Sequence, residues 1–520
     1  MQKEITLVLT PKQASGEEFF LPVLAKNLKI SPKRINGTKI LGRSIDARQR
    51  QVKINLRLLV FVDEHPVVEE NPVFDYKNVS GKEPVVIVGA GPAGLFAALK
   101  MLELGVKPII IERGKDVTAR KRDIAAIHRN LELNPDSNYG FGEGGAGTYS
   151  DGKLYTRSKK RGNVKEVLQI LKAHGASPDI LVDAHPHIGT DKLPDIIKSI
   201  RNTIIAFGGE VHFETNLESL LIKDHKIQGI KTRKGDSIYS KAVILATGHS
   251  ARDIYQMLYQ QGIALEAKPF AMGVRIEHPQ ELIDSIQYSC ALRDPYLPAA
   301  TYNLVQQVNN RGVYSFCMCP GGIIVPASTS PDEMVVNGMS PSFRNSKWAN
   351  SGIVVELRLE DFGADQQQKV LKGLEYQQYF EKLAYENGGE GQIAPAQRMT
   401  DFVNGKLSTD LPESSFRPGL RSSPMNQWMP EAIRYRLQEG FKAFGKKMDG
   451  YFTREALLIG VESRTSSPLR IPRNPETLQH PQISGLFPAG EGAGYAGGIA
   501  SSAMDGAWCA TKAVAFVLRT

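Results

Sequence analysis

The sequence has little cysteine and no long apolar run, and both absences limit the class of protein. Its 520 residues include only four cysteines, Cys290, Cys317, Cys319 and Cys509. So few cysteines cannot build a disulfide scaffold. The lack of such a scaffold is typical of proteins in a reducing compartment. No apolar stretch approaches the roughly 20 residues of a membrane-spanning helix, and residues 1–10 lack the apolar core and cleavage site of a signal peptide. We therefore expect a cytoplasmic protein with no membrane span.

The sequence also lacks the spacing of a metal site. His185 and His187 alternate, so an extended segment would place both side chains on one face. No cysteine, aspartate or third histidine accompanies them at ligand spacing. We therefore expect no metal, and we interpret both histidines as core or hydrogen-bonding residues.

Acidic residues are scarce near the start of the chain, although they are not scarce elsewhere. The net charge is +9, from 64 basic and 55 acidic residues. Residues 26–57 alone contain ten basic side chains and one acidic side chain, Asp46. Such a basic run can bind RNA or an acidic partner, or it can form a solvated face.

The rest of the chain is organised around residues 85–114, VVIVGAGPAGLFAALKMLELGVKPIIIERG. An apolar run of strand length precedes Gly89, Gly91 and Gly94, which have G-x-G-x-x-G spacing. A Leu- and Ala-rich segment, residues 95–104, follows and predicts a helix that stops at Gly105. A second apolar strand comes next and ends at Glu112. The glycines permit a tight turn, a close backbone approach to a pyrophosphate and close helix–strand packing. The helix N-terminus favours phosphate, and the acidic residue suits a ribose hydroxyl pair. The pattern predicts a dinucleotide site.

Two other glycine matches lack this context. Gly142, Gly144 and Gly147 follow no buried strand, and we interpret residues 139–157 as a Gly-rich loop that approaches a flat or anionic ligand. A plain flexible loop is the alternative. The match at residues 492–497 precedes a predicted final helix, which residues 497–501 would open.

Two predicted strands lead toward the same site. Residues 242–248 read AVILATG, a buried strand that ends in Ala246, Thr247 and Gly248. Residues 486–489 form a short strand that delivers Gly490 and Glu491. The N–H groups that open the final helix can stabilise negative charge on an electron-rich ring.

Together these stretches resemble the two-domain FAD-dependent oxidoreductases with the glutathione-reductase-type FAD fold. The similarity covers residues 81–268 and 457–520. The chain looks most similar to a bacterial group of uncharacterised FAD-dependent dehydrogenases with an extra N-terminal domain. The resemblance implies that the first glycines bind the FAD pyrophosphate and Glu112 binds the adenosine ribose. It also implies that Glu491 contacts the ribityl-pyrophosphate part.

From the motifs and the resemblance we predict one set of cofactor-binding residues. They are Gly89, Gly91, Pro92, Ala93, Gly94, Glu112, Arg113, Gly144, Gly145, Ala246, Thr247, Gly248, Gly490, Glu491, Gly497, Gly498, Ile499 and Ala500. The backbone amides of residues 498–500 would approach the isoalloxazine ring. We assign no catalytic acid or base. The candidates are Lys153, Arg157, His185, His187 and Arg464.

We predict an α/β protein with a Rossmann-like FAD-binding domain, an inserted mixed α+β substrate domain and a small α+β N-terminal domain. The boundaries are 1–75 for the N-terminal domain, 81–268 and 457–520 for the FAD-binding domain and 269–456 for the insert. In the first domain, Ser15 and Glu18 have capping-box spacing ahead of a predicted helix. The alternating apolar residues at 52–62 predict a strand.

The chain departs from the flavin disulfide reductases in two respects. It has neither their C-x(4)-C pair nor a second, complete NAD(P)H-binding βαβ unit. Any NAD(P)H that donates electrons must therefore bind without a Rossmann domain of its own. Cys317 and Cys319 share a face if they lie on a strand, and they are either a pair that exchanges electrons with a flavin or small buried residues.

The sequence thus predicts an FAD-dependent oxidoreductase, or dehydrogenase, that passes hydride or electrons through a non-covalent flavin to a small-molecule substrate or electron acceptor. The alternative is an RNA-interacting flavoprotein related to tRNA-modifying FAD enzymes, in which the basic N-terminal domain binds RNA. The basic run lacks the interleaved aromatic residues that single-strand binding tends to use.

Overall fold

The computed structural model of the protein describes residues 1–66, 74–156, 162–363, 369–389 and 391–519. Within these ranges no helix has both the length and the apolar character that a membrane crossing requires. The helices are α1 (Glu17–Leu28), α2 (Pro92–Leu104), α3 (Val117–Asn130), α4 (Val164–Ala173), α5 (Leu193–Ala206), α6 (Arg252–Gln260), α7 (Gln280–Tyr288), α8 (Lys372–Glu386), α9 (Met399–Val403), α10 (Met425–Trp428), α11 (Glu431–Lys447) and α12 (Ile499–Val517).

The strands of the described residues fall into six sheets. They are β1 (Gln2–Leu9), β2 (Ile35–Asp46), β3 (Lys53–Val62), β4 (Pro84–Val88), β5 (Lys107–Ile111), β6 (Glu210–His212), β7 (Leu217–Lys223), β8 (Lys226–Thr232), β9 (Ser237–Tyr239), β10 (Val243–Leu245), β11 (Glu266–Ala267), β12 (Phe270–Pro279), β13 (Val305–Val308), β14 (Arg311–Cys319), β15 (Ile323–Pro326), β16 (Val336–Met339), β17 (Trp348–Leu357), β18 (Ala394–Arg398), β19 (Leu420–Ser422), β20 (Leu457–Glu462), β21 (Leu469–Arg470) and β22 (Leu486–Pro488).

A parallel five-stranded sheet forms the centre of the predicted FAD-binding domain, with strand order β22-β10-β4-β5-β6. Strands β4, β5, β10 and β22 are nearly continuous apolar runs, as a parallel sheet covered on both faces requires. Helices α2 and α12 pack against each other, and a Cβ on Gly506 of α12 would overlap the Ala93 carbonyl oxygen of α2. The sheet confirms the α/β class and brings residues from both ends of the domain together.

Helix α2 begins at Pro92, three residues earlier than the Leu- and Ala-rich segment alone suggests. Gly91 is extended at the N-cap, and proline fits the first helical turn because it has no N–H group to satisfy there. The helix ends at Gly105, which adopts a left-handed φ of 76°. This stop follows the prediction, since only glycine takes that conformation at low cost.

The inserted region is built on a seven-stranded, mainly antiparallel sheet of order β13-β14-β17-β12-β20-β18-β19. Helices α8 and α11 pack on it and bury a core that includes Phe380, Leu437 and Phe441. Strand β20 lies near the middle of this sheet, so the sheet extends through Glu462. The predicted boundary at residue 456 therefore falls just before a strand that the insert needs.

The N-terminal unit is a three-stranded antiparallel sheet of order β1-β3-β2 with α1 packed on one face. The alternating residues of β3 are buried as predicted. The capping-box prediction is wrong, because Gly16 is the N-cap of α1 and the Ser15 hydroxyl donates to the Lys12 carbonyl oxygen at 2.8 Å. Arg43 of β2 reaches Asp183 at 2.7 Å and joins this unit to the rest of the molecule.

Candidate functional site

One cavity of about 400 Å³ lies at the carboxyl ends of β4, β5, β10 and β22, between the parallel sheet and the insert. In open α/β sheets this edge is where ligands bind, because the loops that leave the strands diverge there. Residues at the N-termini of α2 and α12, among them Pro92 and Ile499, line the cavity. Residues of the insert, including Phe316, Cys317 and Asn337, form part of its wall.

The first glycines hold the turn between β4 and α2 in a compact form. Gly89 has a φ of +107°, and a Cβ there would lie 2.5 Å from the Ala246 carbonyl oxygen. A Cβ on Gly94 would overlap the Gly89 carbonyl oxygen, so Gly94 permits helix–strand packing. A Cβ on Gly91, in contrast, would meet no heavy atom closer than the Gly145 Cα at 4.0 Å. Gly91 therefore faces open space in the cavity, whereas Gly89 and Gly94 face protein.

Glu112 is 6% exposed and accepts hydrogen bonds from three backbone N–H groups. Ala90 donates to Oε2 at 2.9 Å, and Gly114 and Gly142 donate to Oε1 at 2.9 and 3.1 Å. A carboxylate offers about four acceptor positions, two on each oxygen. The three bonds occupy both positions on Oε1 and one on Oε2, so one position on Oε2 is open. Glu112 thus joins the glycine turn to the Gly-rich loop and retains one acceptor position toward the cavity.

The Gly-rich loop is fixed by a buried arginine that belongs to none of the predicted site motifs. The Arg120 guanidinium is fully buried and donates to four backbone carbonyl oxygens, those of Asn138, Tyr139, Glu143 and Gly145, at 2.8 to 3.0 Å. A flexible loop would not bury such a set of bonds, so the plain-loop alternative does not describe residues 138–145. An arginine in α3 carries no sequence signal for this role, because the acceptors are backbone atoms.

Most of the predicted cofactor residues line the cavity. Gly94 and Gly144 do not, because Gly94 packs against β4 and the Gly144 N–H donates to the Ala90 carbonyl oxygen at 2.8 Å. The lining members are Gly89, Gly91, Pro92, Ala93, Glu112, Arg113, Gly145, Ala246, Thr247, Gly248, Gly490, Glu491, Gly497, Gly498, Ile499 and Ala500.

A histidine and a carboxylate face each other beside the late glycines. His249 directly follows the strand-ending Ala-Thr-Gly, and its Nε2 lies 3.8 Å from Glu491 Oε1. Burial lowers the pKa of His249 to about 4, and the nearby Arg464 charge adds to this effect. Burial raises the pKa of Glu491 to about 7. The carboxyl group is therefore the member of this pair that exchanges a proton near neutral pH. In the sequence, the only signal for His249 was its position directly after the predicted turn at residues 246–248.

The candidate acids and bases separate into two groups. Lys153 and Arg464 line the cavity, and the Lys153 amine donates to the Met318 carbonyl oxygen. His187 Nε2 lies 3.1 Å from the Ser342 carbonyl oxygen, and His185 is exposed and packs edge-on against Tyr155. Arg157 lies outside the described residues. Within the described ranges no group of metal-binding side chains is found.

Arg464 is held by an alternating network of two arginines and two glutamates. It pairs with Glu381 at 2.9 Å and with Glu333 at 3.2 Å. Arg252 of α6 pairs with the same two carboxylates at 2.6 Å each. Burial alone would raise the pKa of Glu381, but the two guanidinium groups lower it below the usual range. The network therefore joins the FAD-binding side to the insert and leaves Arg464 little freedom to move.

The cavity fits a dinucleotide on structural grounds. No side chain caps the N-terminus of α2 at Gly91 or that of α12 at Gly498. The free N–H groups of both helices can therefore meet anionic groups. A Cβ on Gly497 or Gly498 would meet no protein atom within 4 Å, so this wall is shaped for close approach by a ligand.

Comparison with known families identifies the ligand class. Residues 82–133, which include the glycine turn, match a family described as "FAD binding domain". Residues 269–465 match "FAD-dependent protein, C-terminal domain-like", and residues 1–61 match a domain of unknown function. The fold and the cavity thus define an FAD-dependent oxidoreductase.

A curated relative shows the family more directly. An uncharacterised protein of Clostridium beijerinckii is 41% identical over 502 residues, which is 93% of this chain and 93% of the relative. The chain therefore belongs to the same family of FAD-dependent proteins, and the family resemblance stated from the motifs is confirmed.

Solved structures show more distant likenesses. A geranylgeranyl bacteriochlorophyll reductase-like protein of Thermoplasma acidophilum is 14% identical, with 84% of this chain and 80% of that chain covered and a TM-score of 0.34. GidA of Aquifex aeolicus is 13% identical, with coverages of 84% and 64% and a TM-score of 0.33. Glycine oxidase of Bacillus cereus is 11% identical, with coverages of 82% and 94% and a TM-score of 0.30. These likenesses are too remote to indicate what this chain acts on.

Proposed function

We propose that the protein is a cytoplasmic, nucleotide-binding dehydrogenase that holds FAD non-covalently in this cavity. The observation that carries the proposal is the opening of two uncapped helix N-termini onto one cavity, with Gly91 and Gly498 facing open space. The α2 end would bind the pyrophosphate, and the remaining acceptor position of Glu112 would bind the adenosine ribose. The residues of the lining set given above supply the rest of the site.

Bound FAD would supply the chemistry, by accepting a hydride or electrons from a substrate and passing them on. The chain's contribution is to bind, orient and stabilise. The N–H groups at Gly498, Ile499 and Ala500 would stabilise negative charge at the ring edge, because the positive end of the α12 dipole lies there. Glu491 would contact the ribityl-pyrophosphate part and hold or release a proton near neutral pH.

The electron donor is the first property to test. We expect the purified protein to show a flavin absorbance spectrum, and anaerobic titration with NADH and with NADPH shows whether either bleaches it. Bleaching by one of them identifies NAD(P)H as the donor, bound without its own Rossmann domain. Bleaching by neither would retain the flavin site and move the search to organic substrates or RNA. A protein that binds no flavin, even after reconstitution with FAD, would contradict the proposed function.

RNA binding by the N-terminal domain is the second candidate function. Three lysines at and after the end of α1, Lys26, Lys29 and Lys33, are exposed. In contrast, Arg34, Arg43 and Arg48 pair with acidic side chains, which reduces the charge available to a partner. The exposed lysines favour this candidate, since phosphate contacts of this kind dominate RNA affinity.

We expect the affinity of the full chain for RNA at low salt to fall when the three lysines are changed to glutamate. Fluorescence anisotropy with labelled tRNA measures this affinity, and its salt dependence should become shallower in the variant. The matched control changes Lys223, Lys226 and Lys234, which are exposed on the β7–β9 sheet, to glutamate. Absence of binding by the unmodified chain at low salt, or equal losses in both triple variants, would remove this candidate.

A further inference from the structure

Strand β14 is interrupted at the point where it meets the cavity. Its pairing with β17 runs regularly to Phe316 opposite Gly352, and then shifts so that Cys319 lies opposite Asn350. Cys317, in the irregular segment, has a φ of +48°. A non-glycine residue rarely adopts this left-handed conformation, and bulges commonly re-aim a side chain beside a functional site. Here the bulge places Cys317 in the cavity wall.

The two cysteines of β14 form a pair of unequal thiols. Cys317 is partly exposed, whereas Cys319 is fully buried, with its Sγ 3.3 Å from the Cys317 carbonyl oxygen. The hydrogen bond from the Cys319 thiol lowers the pKa of Cys317, against the opposing effect of burial, and the charges of Lys153 and Arg275 lower it further. The same pairing raises the pKa of Cys319. Cys317 is therefore the accessible sulfur of the pair and the one whose thiolate is favoured, whereas the buried Cys319 thiol donates its proton to the Cys317 carbonyl oxygen.

A buried arginine fixes both cysteines. Arg275 Nη2 lies 2.8 Å from the Cys317 carbonyl oxygen and 3.5 Å from Cys319 Sγ, and its Nη1 pairs with Glu462 at 2.7 Å. The left-handed turn at Cys317 folds the backbone so that Cys319 Sγ lies 3.3 Å from the Cys317 carbonyl oxygen. The two thiol groups also interact with each other directly. The pair is thus held where a sulfur–sulfur bond can form.

We propose that Cys317 and Cys319 are a redox-active dithiol pair that reduces a low-molecular-weight disulfide from within the cofactor cavity. The Cys317 thiolate attacks one sulfur of the substrate, forms a mixed disulfide and releases one thiolate. Cys319 then gives up its proton and attacks Cys317 Sγ, which forms the Cys317–Cys319 disulfide and releases the second thiolate. The pair loses two electrons, the substrate gains them, and the released thiolate takes up the proton. A small disulfide suits the site better than a protein disulfide, because Cys317 is only partly exposed and lies in the wall of a cavity.

The sulfur chemistry does not depend on the flavin, but a role for the pair as an electron relay rests on the proposed function. The pair and the proposed flavin site share one cavity, so the two can be tested separately on the same protein. All thiol measurements are therefore made on FAD-loaded and on flavin-stripped protein. If the cysteine pair reacts but the chain does not bind FAD, only the proposed function is contradicted. If the chain binds FAD but the cysteines do not react, only this proposal is contradicted.

The probe is 5,5′-dithiobis(2-nitrobenzoate), applied to the full chain carrying Cys290→Ser to remove the other partly exposed thiol. We expect fast release of two equivalents of the coloured thiolate. The intact mass should fall by two hydrogens with no adduct, and peptide mapping should join Cys317 to Cys319. This result needs no change in either cysteine. One equivalent with a stable adduct on Cys317, or no fast reaction, would overturn the proposal.

Two variants separate the roles of the sulfurs. Cys319→Ser should release one equivalent and keep the mixed disulfide on Cys317, whereas Cys317→Ser should lose the fast phase. Lys153→Met keeps both thiols but should move the pH profile of iodoacetamide labelling at Cys317 upward, because a charge that favours the thiolate is lost. A labelling profile unaltered by Lys153→Met and centred at the ordinary thiol pKa would contradict the assignment of Cys317 as the attacking sulfur.

Discussion

Substituting Gly91 with valine is expected to give a folded protein that purifies without FAD. Gly91 has an ordinary φ of −78°, so a side chain strains no backbone there. A Cβ would meet no protein atom closer than 4.0 Å and would occupy the space proposed for the pyrophosphate. We expect the Kd for FAD to rise by at least about 100-fold, which corresponds to about 2.7 kcal/mol. The ratio of flavin to protein absorbance and an equilibrium titration of the stripped protein measure this change.

Gly89→Ala is the matched control. Gly89 is two residues from Gly91, but a side chain there would clash with the protein and not with a ligand in the cavity. Its φ of +107° and the Ala246 carbonyl oxygen at 2.5 Å mean that a Cβ strains the protein itself. The left-handed conformation alone costs about 1–2 kcal/mol. We therefore expect a lower thermal midpoint for the flavin-free Gly89→Ala protein and an unchanged midpoint for the flavin-free Gly91→Val protein. A fully loaded Gly91→Val protein would contradict the assignment of the site.

The FAD-binding half of the site was predictable because its signals are local. A strand, three glycines, a helix and an acidic residue follow one another within 85–114, so the sequence order is also the spatial order. The start of α2 was placed late because Gly94 lies inside its first turn, and glycine has low helix propensity. The second role of Glu112 was not predictable, since the N–H group of Gly142 reaches it only after the Gly-rich loop folds back.

The basic run shows a different limit of sequence reasoning. Residues 35–46 form β2, which we did not predict because Lys39, Arg43 and two glycines, Gly37 and Gly42, interrupt the apolar alternation of a strand. Strand β2 is the end strand of its three-stranded sheet, and on its outer side Arg43 forms a single bridge to Asp183. Edge strands commonly carry such charges, because charge discourages pairing with another chain. The basic residues of β2 are therefore typical of an edge strand, and they do not argue against a strand at residues 35–46.

The wall contributed by the insert was the least predictable part. The place of Cys317 in the wall depends on a register shift between β14 and β17, which no short-range pattern specifies. The order of the seven strands likewise pairs β20 with β12, although most of the insert separates these two strands in the sequence. Such long-range pairings are set by the burial of a whole sheet face, so they appear only when the complete fold is known.

The buried network around Arg464 gives the largest expected effect on stability. Glu381 is fully buried and accepts hydrogen bonds from Arg464, from Arg252 at 2.6 Å and from the Ser463 hydroxyl at 2.6 Å. Removing it by Glu381→Ala would leave two buried guanidinium groups with Glu333 as their remaining carboxylate. Removing one partner of a buried pair typically costs about 3–5 kcal/mol, because an uncompensated charge stays in the interior. We expect a destabilisation of that size.

Urea unfolding of the flavin-free protein measures this effect, with Glu375→Ala as the control on the same helix. Glu375 pairs with Lys372 at 2.6 Å, but both side chains are about half exposed, at 56% and 47%. Exposed pairs contribute about 0–1 kcal/mol, so the control should unfold nearly as the unmodified protein does. Since Arg252 belongs to α6 and Glu381 to α8, the loss should also reduce the resistance of the insert to proteolysis. A change below about 1 kcal/mol in Glu381→Ala would mean that the network orients Arg464 in the cavity wall without stabilising the contact between the two parts of the molecule.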